Sequence, residues 1–367
     1  ALIILGLAIF THCQLVTVDC QSSDLTCNPL AAHLFFARES GIVSYVASGA
    51  GCKMFYSYNG EDWTSGSNLP GCVDGGIFKV VNAANRFVGA GALTSTLTGC
   101  GIWTSDDGIH WSQKSCGAVT QAQTTLASGS AFGLTEIITG GEQDGANNYT
   151  SLLSTDLGET WSNLSFGSEG GPGAGDRVTD IAYLPDVQIF LLYQPVPQGT
   201  RIRVLNGLWN ATRQTAIGLL LADLAVGPFS GSYNRVLAVS QGTTSAQYTD
   251  DIGFSFNTTL PNVFSGAGLA PRAVTRGADR FAVVRDSCGY TFLLDGTADS
   301  SGLGTPVMDI CSGDSLSAIV YGDRYVVGSD NGNFYTSSSG ELSGWKLSSF
   351  SAPGTEIQAI GYRRFAF

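Results

Sequence analysis

Charged residues, histidine and lysine are all scarce in this chain, and each scarcity excludes a class of function. Only 13% of the 367 residues are charged, and the formal net charge is −12. An acidic chain with four lysines and no basic run disfavours nucleic acid and anionic membrane surfaces as partners. The three histidines (His12, His33 and His110) are too few for a zinc site or a Ser-His-Asp triad, so we interpret them as structural.

Helical and membrane-spanning patterns are also missing. No amphipathic helix of useful length can be read, and the apolar run of residues 1–10 is too short to span a bilayer. Glycine is abundant instead, with 48 residues, and the segments 78–92 and 317–337 read as short strands broken by tight turns. The sequence therefore predicts an all-β protein with no membrane span, and it contains no motif that calls for a cofactor.

A short motif recurs along the chain at intervals of roughly 45 to 50 residues. It reads Ser/Thr, any residue, Asp/Asn, Gly, two residues and an aromatic, with one optional residue before the glycine. Clear copies cover residues 57–63, 105–111, 154–161 and 249–256, and weaker ones end at Trp209 and precede Trp345. This period, without a helical signal, predicts a single β-propeller whose blades each contain four antiparallel strands.

A polar residue inside an apolar run marks the expected first strand of each blade. The marked positions are His33, Lys79, Asp180, Asp223, Asp309 and Gln358, and the segments near Ser128 and Ala273 complete the set. Eight first strands predict eight blades, but only seven motif positions exist, so seven blades remain the alternative. On the eight-blade count, the C-terminal run 355–367 begins a blade that residues 1–20 would complete. We therefore expect an N-terminal segment, 1–30, that supplies closing or exchanged strands, followed by the propeller, 31–367.

Cysteines and glycosylation sequons indicate a secreted protein. None of the nine cysteines forms a C-x-x-C pair, and four N-x-S/T sequons occur, at Asn148, Asn163, Asn210 and Asn257. Cysteines occupy equivalent positions around the first two motifs, which predicts the bridges Cys52–Cys72 and Cys100–Cys116. Cys288–Cys311 is the expected third bridge, and the pairing of Cys13, Cys20 and Cys27 stays open.

The repeated motif resembles the Asp-box, or BNR repeat, of sialidase-like β-propellers. It is also similar to the boxes of sortilin-type receptors, xyloglucan-cleaving glycosidases and a photosystem assembly factor. The resemblance covers residues from about 50 to 345, and it implies a turn between the third and fourth strands of a blade, away from the axial ligand face. The residues with these structural roles are Asn59, Asp107, Asp156 and Asp251 as turn acceptors, Gly158 at positive φ, and Trp63, Trp111, Trp161 and Phe256 as packing between sheets.

The catalytic residues of a sialidase are not recognisable in this sequence. The early "RIP" arginine motif is absent, and the nearest string, "RIRV" at 201–204, lies mid-chain. The glycine-rich segment 169–176 lacks the Lys-Ser/Thr of a phosphate-binding loop and reads as a connection between blades. The remaining candidates for an axial ligand or metal site are Lys79, Asp180, Asp223 and Asp309, whose simpler role is to line a wet channel.

These patterns favour a non-enzymatic function. We expect a secreted structural or scaffold glycoprotein. Its N-terminal strand, within residues 1–20, either completes its own ring or is exchanged with the next molecule, which would build a filament. The alternative is a carbohydrate-binding or glycoside-hydrolase propeller that acts at the axial channel face. Protein recognition in the manner of sortilin-type receptors is a third class, for which the loop 165–177 could serve.

Overall fold

The computed structural model describes fourteen segments of the chain, of which the first begins at Val43. The described residues are 43–142, 151–164, 178–194, 199–204, 209–210, 220–229, 233–241, 246–249, 257–260, 271–277, 280–285, 289–293, 314–340 and 344–363. All of them belong to the unit Val43–Phe367. The predicted N-terminal segment 1–30 and the strand around His33 therefore lie outside the described residues.

All regular structure in these residues is β-strand, as the sequence predicts. The first fifteen strands are β1 (Tyr45–Gly49), β2 (Lys53–Ser57), β3 (Trp63–Ser65), β4 (Gly76–Ala83), β5 (Arg86–Ala92), β6 (Cys100–Ser105), β7 (Ser112–Gln113), β8 (Gln123–Ala131), β9 (Leu134–Gly141), β10 (Ser151–Ser154), β11 (Ser162–Asn163), β12 (Asp180–Leu184), β13 (Ile189–Gln194), β14 (Gly199–Val204) and β15 (Trp209–Asn210). The others are β16 (Leu220–Phe229), β17 (Tyr233–Gln241), β18 (Ala246–Thr249), β19 (Asn257–Leu260), β20 (Pro271–Arg276), β21 (Arg280–Arg285), β22 (Gly289–Leu293), β23 (Leu316–Tyr321), β24 (Tyr325–Ser329), β25 (Asn333–Ser337), β26 (Lys346–Ser351) and β27 (Ile357–Tyr362). None of the described segments is a helix with the length and hydrophobicity needed to cross a bilayer.

The described strands form seven antiparallel sheets. Their strand orders are β27-β1-β2-β3, β4-β5-β6-β7, β8-β9-β10-β11, β12-β13-β14-β15, β16-β17-β18-β19, β20-β21-β22 and β23-β24-β25-β26. Each first strand contacts the first strand of the next sheet, in the order β27, β4, β8, β12, β16, β20, β23 and β27 again. An eighth blade would require residues outside the described part of the chain, so the predicted blade number is neither confirmed nor contradicted.

The C-terminal strand begins a sheet, as expected, but its neighbour differs from the predicted one. β27 pairs antiparallel with β1, and Tyr45 is the partner of Tyr362. The rings of these two tyrosines lie 4.8 Å apart, and the Arg363 N–H donates to the Ser44 carbonyl oxygen at 2.8 Å. The place beside β27 is thus filled by a fully buried strand rather than by residues 1–20.

The hydrophobic core lies mainly between adjacent sheets. Leu191 and Tyr193 of β13, for example, pack in one cluster with Leu224 and Val236 of the following sheet. Successive residues of a strand point to opposite faces of its sheet, and apolar residues on both faces allow a sheet to pack between two others. Apolar burial therefore stabilises the association of the sheets as well as each sheet itself.

Two of the three predicted disulfides are confirmed. Cys52 bonds to Cys72, with 5.8 Å between the Cα atoms, and Cys100 bonds to Cys116, with 6.3 Å between them. Each bridge connects the third strand of a sheet to the chain that follows its fourth strand. Cys288–Cys311, Cys13, Cys20 and Cys27 lie outside the described residues.

The repeated motifs are turns between third and fourth strands. Asp107 Oδ1 accepts hydrogen bonds from the Ile109 and His110 N–H groups, both at 2.8 Å. The same role is played by Asn59 toward the Glu61 and Asp62 N–H groups, and by Asp156 toward the Thr160 N–H. The predicted acceptor role is confirmed at these three positions. Asp251 and Phe256 lie outside the described residues.

Glycine is required in these turns for conformational and steric reasons. Gly108 has φ +81°, in the left-handed region, and a Cβ there would lie 2.8 Å from Val43 Cγ1 of the preceding sheet. Gly158 has φ +86°, as the sequence predicts for this position. The motif therefore serves as a tight turn and as a close contact between sheets.

The tryptophan that closes each motif packs against other sheets or beneath its own turn. Trp63 stacks on Phe334 of β25, with 4.1 Å between the ring centroids and 12° between the ring planes. Its Nε1–H donates to the Gly60 carbonyl oxygen at 3.1 Å, and Trp161 makes the same bond to Gly158 at 3.0 Å. Trp111 is also buried, in a cluster with residues of the preceding sheet. The three tryptophans have the predicted packing role.

A second sequence repeat lies at the start of the second strand in several sheets. The repeat consists of Asn or Asp, then Arg, then a large apolar or aromatic residue. It occurs at 85–87, 234–236, 279–281 and 323–325, where second strands begin. Arg86 pairs with Asp106 of its own sheet and with Glu159, which lies in the motif of the following sheet. Arg324 likewise pairs with Glu61 in the motif of the following sheet. This repeat thus connects neighbouring sheets at the level of the repeated turns.

Candidate functional site

First strands carry a one-residue bulge at equivalent positions. In β4 the pairing with β5 moves from Ile77 to Lys79, so Phe78 has no partner in the ladder. The same irregularity leaves out Thr124, Ala222, Arg272, Ser317 and Gln358 in five other first strands. A bulge bends the strand and re-aims the side chains beside it. It therefore determines which residues of each first strand face the space between the sheets.

A cavity of about 440 Å³, here called the first cavity, lies among these bulges. All seven described first strands contribute to its wall, which makes it the central cavity of the described sheets. The residues at the bulge level are Phe78, Thr124, Thr179, Ala222, Arg272, Ser317 and Gln358.

A second cavity, of about 460 Å³, adjoins the first one. It is lined by residues farther along β4, β8, β12, β16 and β20, together with the turn that follows β12. Lys79 and Arg276 line both cavities. Lys79 therefore lies at the junction between the two spaces.

Lys79 connects two buried aspartates across this junction. Its Nζ lies 2.5 Å from Asp223 Oδ1 and 3.6 Å from Asp180 Oδ2. The Asp180 side chain is 3% exposed and the Asp223 side chain 11%, whereas that of Lys79 is 31% exposed. The accessible part of Lys79 borders the cavities, because the residue lines both of them. These three residues are called the Lys79 cluster below.

Both aspartates also connect neighbouring first strands. Asp180 Oδ2 accepts the Leu224 N–H of β16 at 2.8 Å, and Asp223 Oδ2 accepts the Val274 N–H of β20 at 2.8 Å. Asp180 Oδ1 accepts the hydroxyl of Thr125 in β8 at 2.5 Å. Since Lys79 comes from β4, the cluster connects five successive first strands. Its polar contacts thus have a structural use that does not require a ligand.

The charges of the cluster shift its pKa values. Burial lowers the pKa of Lys79, but the carboxylates of Asp180 and Asp223 outweigh burial and hold that pKa above its usual range. Burial raises the pKa of Asp223 to about 7, against the opposing effect of Lys79, and the negative charge of Asp180 adds to the rise. One ammonium between two carboxyl groups therefore favours retention of a proton on the acidic pair near neutral pH.

The raised pKa of Asp223 predicts a pH dependence of stability. The folded protein holds this proton up to pH about 7, whereas an unfolded chain releases it near pH about 4. This carboxyl group therefore stabilises the fold fully below pH about 4, and the contribution is lost as the pH rises to about 7. In Asp223→Asn, we expect the decline in the free energy of unfolding over this range to flatten by up to about 1.4 kcal/mol per pH unit.

Urea unfolding followed by circular dichroism at several pH values measures this slope. Asp314→Asn is the control, because hydrogen bonds from Tyr335, Asn331 and Asn333 outweigh burial and lower the pKa of Asp314. Asp314 is then ionised in both states between pH 5 and 7, and its substitution leaves the slope there unchanged. Equal slopes for wild type and Asp223→Asn between pH 4 and 7 would contradict the assignment.

The predicted axial residues are in part brought together. Lys79, Asp180 and Asp223 converge, although their spacing in the sequence gave no sign of it. Asp309 lies outside the described residues. In the sheet β23-β24-β25-β26 the bulge position is Ser317. In β8 the residue at the level of the cluster is Thr125, whereas the predicted Ser128 lies farther along and lines the second cavity. No pattern in the sequence distinguishes Thr125 from its neighbours.

Three of the four sequons lie in outermost strands. Asn163 of β11 is exposed, and Asn210 and Asn257 belong to β15 and β19. Asn148 lies outside the described residues. Within the described segments, no group of three or more His, Cys, Asp or Glu side chains is arranged to hold a metal ion.

The chain is similar to solved β-propeller structures at low sequence identity. A protein from Lactobacillus plantarum gives a TM-score of 0.58 at 13% identity, over 88% of this chain and 100% of that chain. Virginiamycin B lyase from Staphylococcus aureus gives 0.54 at 10% identity, over 76% and 85%. YCF48, solved bound to D1 peptide, gives 0.51 at 14% identity, over 77% and 82%. No protein-family model and no curated protein sequence matches the chain. These likenesses show the fold alone, which is a β-propeller with antiparallel four-stranded sheets.

Proposed function

We propose that this chain is a non-enzymatic, secreted scaffold glycoprotein built on an Asp-box propeller. The observation that carries the proposal is the bonding of the acidic pair in the Lys79 cluster. Asp180 and Asp223 share one ammonium group, and each also accepts a backbone N–H from the next first strand. The pair acts as a connection between sheets rather than as a reactive site.

A glycoside hydrolase would need both carboxyl groups to be accessible to its substrate. One must donate a proton to the leaving oxygen, and the other must face the sugar or a water molecule. The Asp180 side chain is 3% exposed, and both of its oxygens accept hydrogen bonds from protein groups. Both oxygens of Asp223 also have protein donors. Neither carboxylate has a free side toward a substrate, which supports a structural role.

A hydrolysis screen with nitrophenyl glycosides tests the proposal. We expect the full chain, Asp180→Asn and Asp223→Asn to release nitrophenol at the rate of the buffer alone. The matched amides keep the shape of each side chain, so a loss of activity could be ascribed to the lost charge. Turnover by the wild type that both substitutions abolish would overturn the non-enzymatic assignment.

Secretion and an Asp-box architecture are supported by separate observations. Two disulfides, Cys52–Cys72 and Cys100–Cys116, are typical of an oxidising compartment. Asn163 is exposed in its outermost strand, and Asn210 and Asn257 also belong to outermost strands. The Asx-type turns of the repeated motifs have the hydrogen bonds that the Asp-box resemblance implies.

Self-assembly through residues 1–20 is the finer part of this proposal. The strand β27 already has β1 as its sheet neighbour, so an exchanged strand would have to pair elsewhere. Size-exclusion chromatography of the full chain and of a chain lacking residues 1–20 measures this step. Polymers formed only by the full chain support it, and a monomer in both cases removes it.

Carbohydrate binding at the first cavity is the second candidate. Polar residues line this cavity at the level of the bulges, namely Thr124, Thr179, Arg272, Ser317 and Gln358. Sugar hydroxyl groups are suitable hydrogen-bond partners for such side chains. A glycan array probed with wild type and Gln358→Ala tests this candidate. Binding that the substitution weakens supports it, and no binding removes it.

A further inference from the structure

The second cavity contains a cation with no protein partner. Arg276, the last residue of β20, lines the second cavity, and its guanidinium forms no hydrogen bond or ion pair with any described group. Its Nε is buried. The other arginines whose side chains the structure describes differ, since all have partners: Arg86, Arg235, Arg272, Arg324 and Arg363.

An unpaired guanidinium in such a place is costly to the fold. Arginine stays protonated at any physiological pH, so the charge cannot be relieved by losing a proton. A buried N–H without an acceptor also forfeits the hydrogen bond it would make to water. Gly227 lies beside the Arg276 stem, where a Cβ would come within 3.2 Å of Arg276 Cγ and Cδ. The packing thus leaves room for this side chain but provides no partner for its charge.

The walls around Arg276 are mainly apolar. Leu126, Ile181, Leu224 and Val226 contribute aliphatic surface, and Tyr183 contributes an aromatic ring. The Tyr183 hydroxyl donates to the Ser130 carbonyl oxygen at 3.4 Å. A volume of about 460 Å³ is within the usual range of small-molecule sites. A cavity of this kind suits a ligand with an apolar body.

Charge limits the ligand further. Lys79 is the other cation at this cavity, and Asp180 and Asp223 already neutralise it. The Asp186 carboxylate also lines this cavity, so Arg276 is opposed by one negative charge there. This balance, in a chain of net charge −12, suits a monoanion better than a multiply charged phosphate. A carboxylate also matches the planar donor pair of a guanidinium in a bidentate arrangement.

We infer that the second cavity binds a small monocarboxylate with an aromatic or branched apolar body, held by Arg276. The carboxylate accepts hydrogen bonds from the guanidinium, and the apolar body lies against Tyr183 and the aliphatic wall. This site adjoins the first cavity and shares Lys79 and Arg276 with its lining. It does not depend on the non-enzymatic scaffold role proposed above.

Binding of phenylacetate by the full chain tests the inference. Phenylacetamide is the neutral probe of almost the same shape, and isothermal titration calorimetry measures both. We expect the acid to bind at least about tenfold more tightly than the amide, because only the acid neutralises the guanidinium. Tenfold corresponds to about 1.4 kcal/mol. Equal affinity for the two probes, or no binding of phenylacetate at 20 mM, overturns the inference.

Two matched variants assign the effect to one side chain. Arg276→Gln removes the charge but keeps much of the stem, and it should abolish the preference for the acid. Arg272→Gln removes a charge from the same strand at a residue that lines only the first cavity, and it should leave the preference unchanged. A preference that survives in Arg276→Gln would place the anion elsewhere.

Two further measurements cover the remaining outcomes. Circular dichroism spectra establish that the variants are folded, and Arg276→Lys, which keeps the charge without the planar fork, should bind phenylacetate with intermediate affinity. Competition by sodium sulfate at constant ionic strength tests the apolar part of the ligand. Displacement of phenylacetate by sulfate at an equal concentration would show a site for any anion and contradict the proposed class.

Discussion

Lys79→Met is expected to lower the free energy of unfolding by about 3 kcal/mol at pH 7.5. The substitution keeps the length of the side chain but leaves Asp180 and Asp223 buried without their shared counter-ion. Two carboxylates that remain close together then repel each other, and one of them must take up a proton. The loss should therefore become smaller at pH 5, where protonation is easier. Urea unfolding followed by circular dichroism measures both values.

A double variant and a control substitution isolate the cause. Lys79→Met/Asp223→Asn removes the ammonium and one carboxylate together, so it should recover most of the lost stability. Lys53→Met removes a lysine that donates to the Thr355 hydroxyl and has no carboxylate partner among the described groups. Its effect should stay within about 0.5 kcal/mol. A loss in Lys79→Met that is the same at pH 5 and pH 7.5 would show that packing, not charge, is responsible.

Trp63→Ala should destabilise the protein by about 3–5 kcal/mol. Trp63 is 5% exposed and stacks on Phe334 of the neighbouring sheet, so its loss opens a cavity between two sheets. Trp63→Phe keeps most of this packing and loses the hydrogen bond to the Gly60 carbonyl oxygen, and about 1 kcal/mol is expected. The denaturant midpoints of the wild type, Trp63→Phe and Trp63→Ala measure the expected order of stability, with the wild type highest and Trp63→Ala lowest.

Trp161→Ala is the matched comparison for this prediction. Trp161 makes the same hydrogen bond to its own turn, but its side chain is only partly buried. Its loss should therefore cost less than half as much as the loss of Trp63, since less apolar surface returns to water. Equal losses at the two positions would mean that the turn itself, rather than packing between sheets, is the source of the stability.

Local patterns allowed a large part of the fold to be predicted. The turn around Asp107 is built from hydrogen bonds between residues two and three positions apart, so its residues appear together in the sequence. The Cys52–Cys72 and Cys100–Cys116 bridges span only 20 and 16 residues, and they repeat relative to the motifs. Because the motif recurs at a regular spacing along the chain, it also predicted a succession of four-stranded sheets.

Prediction failed where the partner is distant in sequence. The sheet neighbour of β27 is β1, which lies at the opposite end of the described chain. The neighbour of β27 is the buried strand that fits between β27 and β2. Apolar composition alone does not specify which strand of the chain this is. The central site also depends on a bulge in six of the seven described first strands, and a bulge has no sequence signal as regular as that of the turns.

The sequence by itself determined the β architecture, the turn chemistry and two disulfides, because each of these rests on residues close together in the chain. Only the tertiary structure decided the state of the central residues. Lys79 and Asp223 are 144 residues apart and meet because their first strands face the same cavity. Their proximity across that cavity joins Lys79, Asp180 and Asp223 in one bonded cluster, whereas Arg276 has no partner among the described groups.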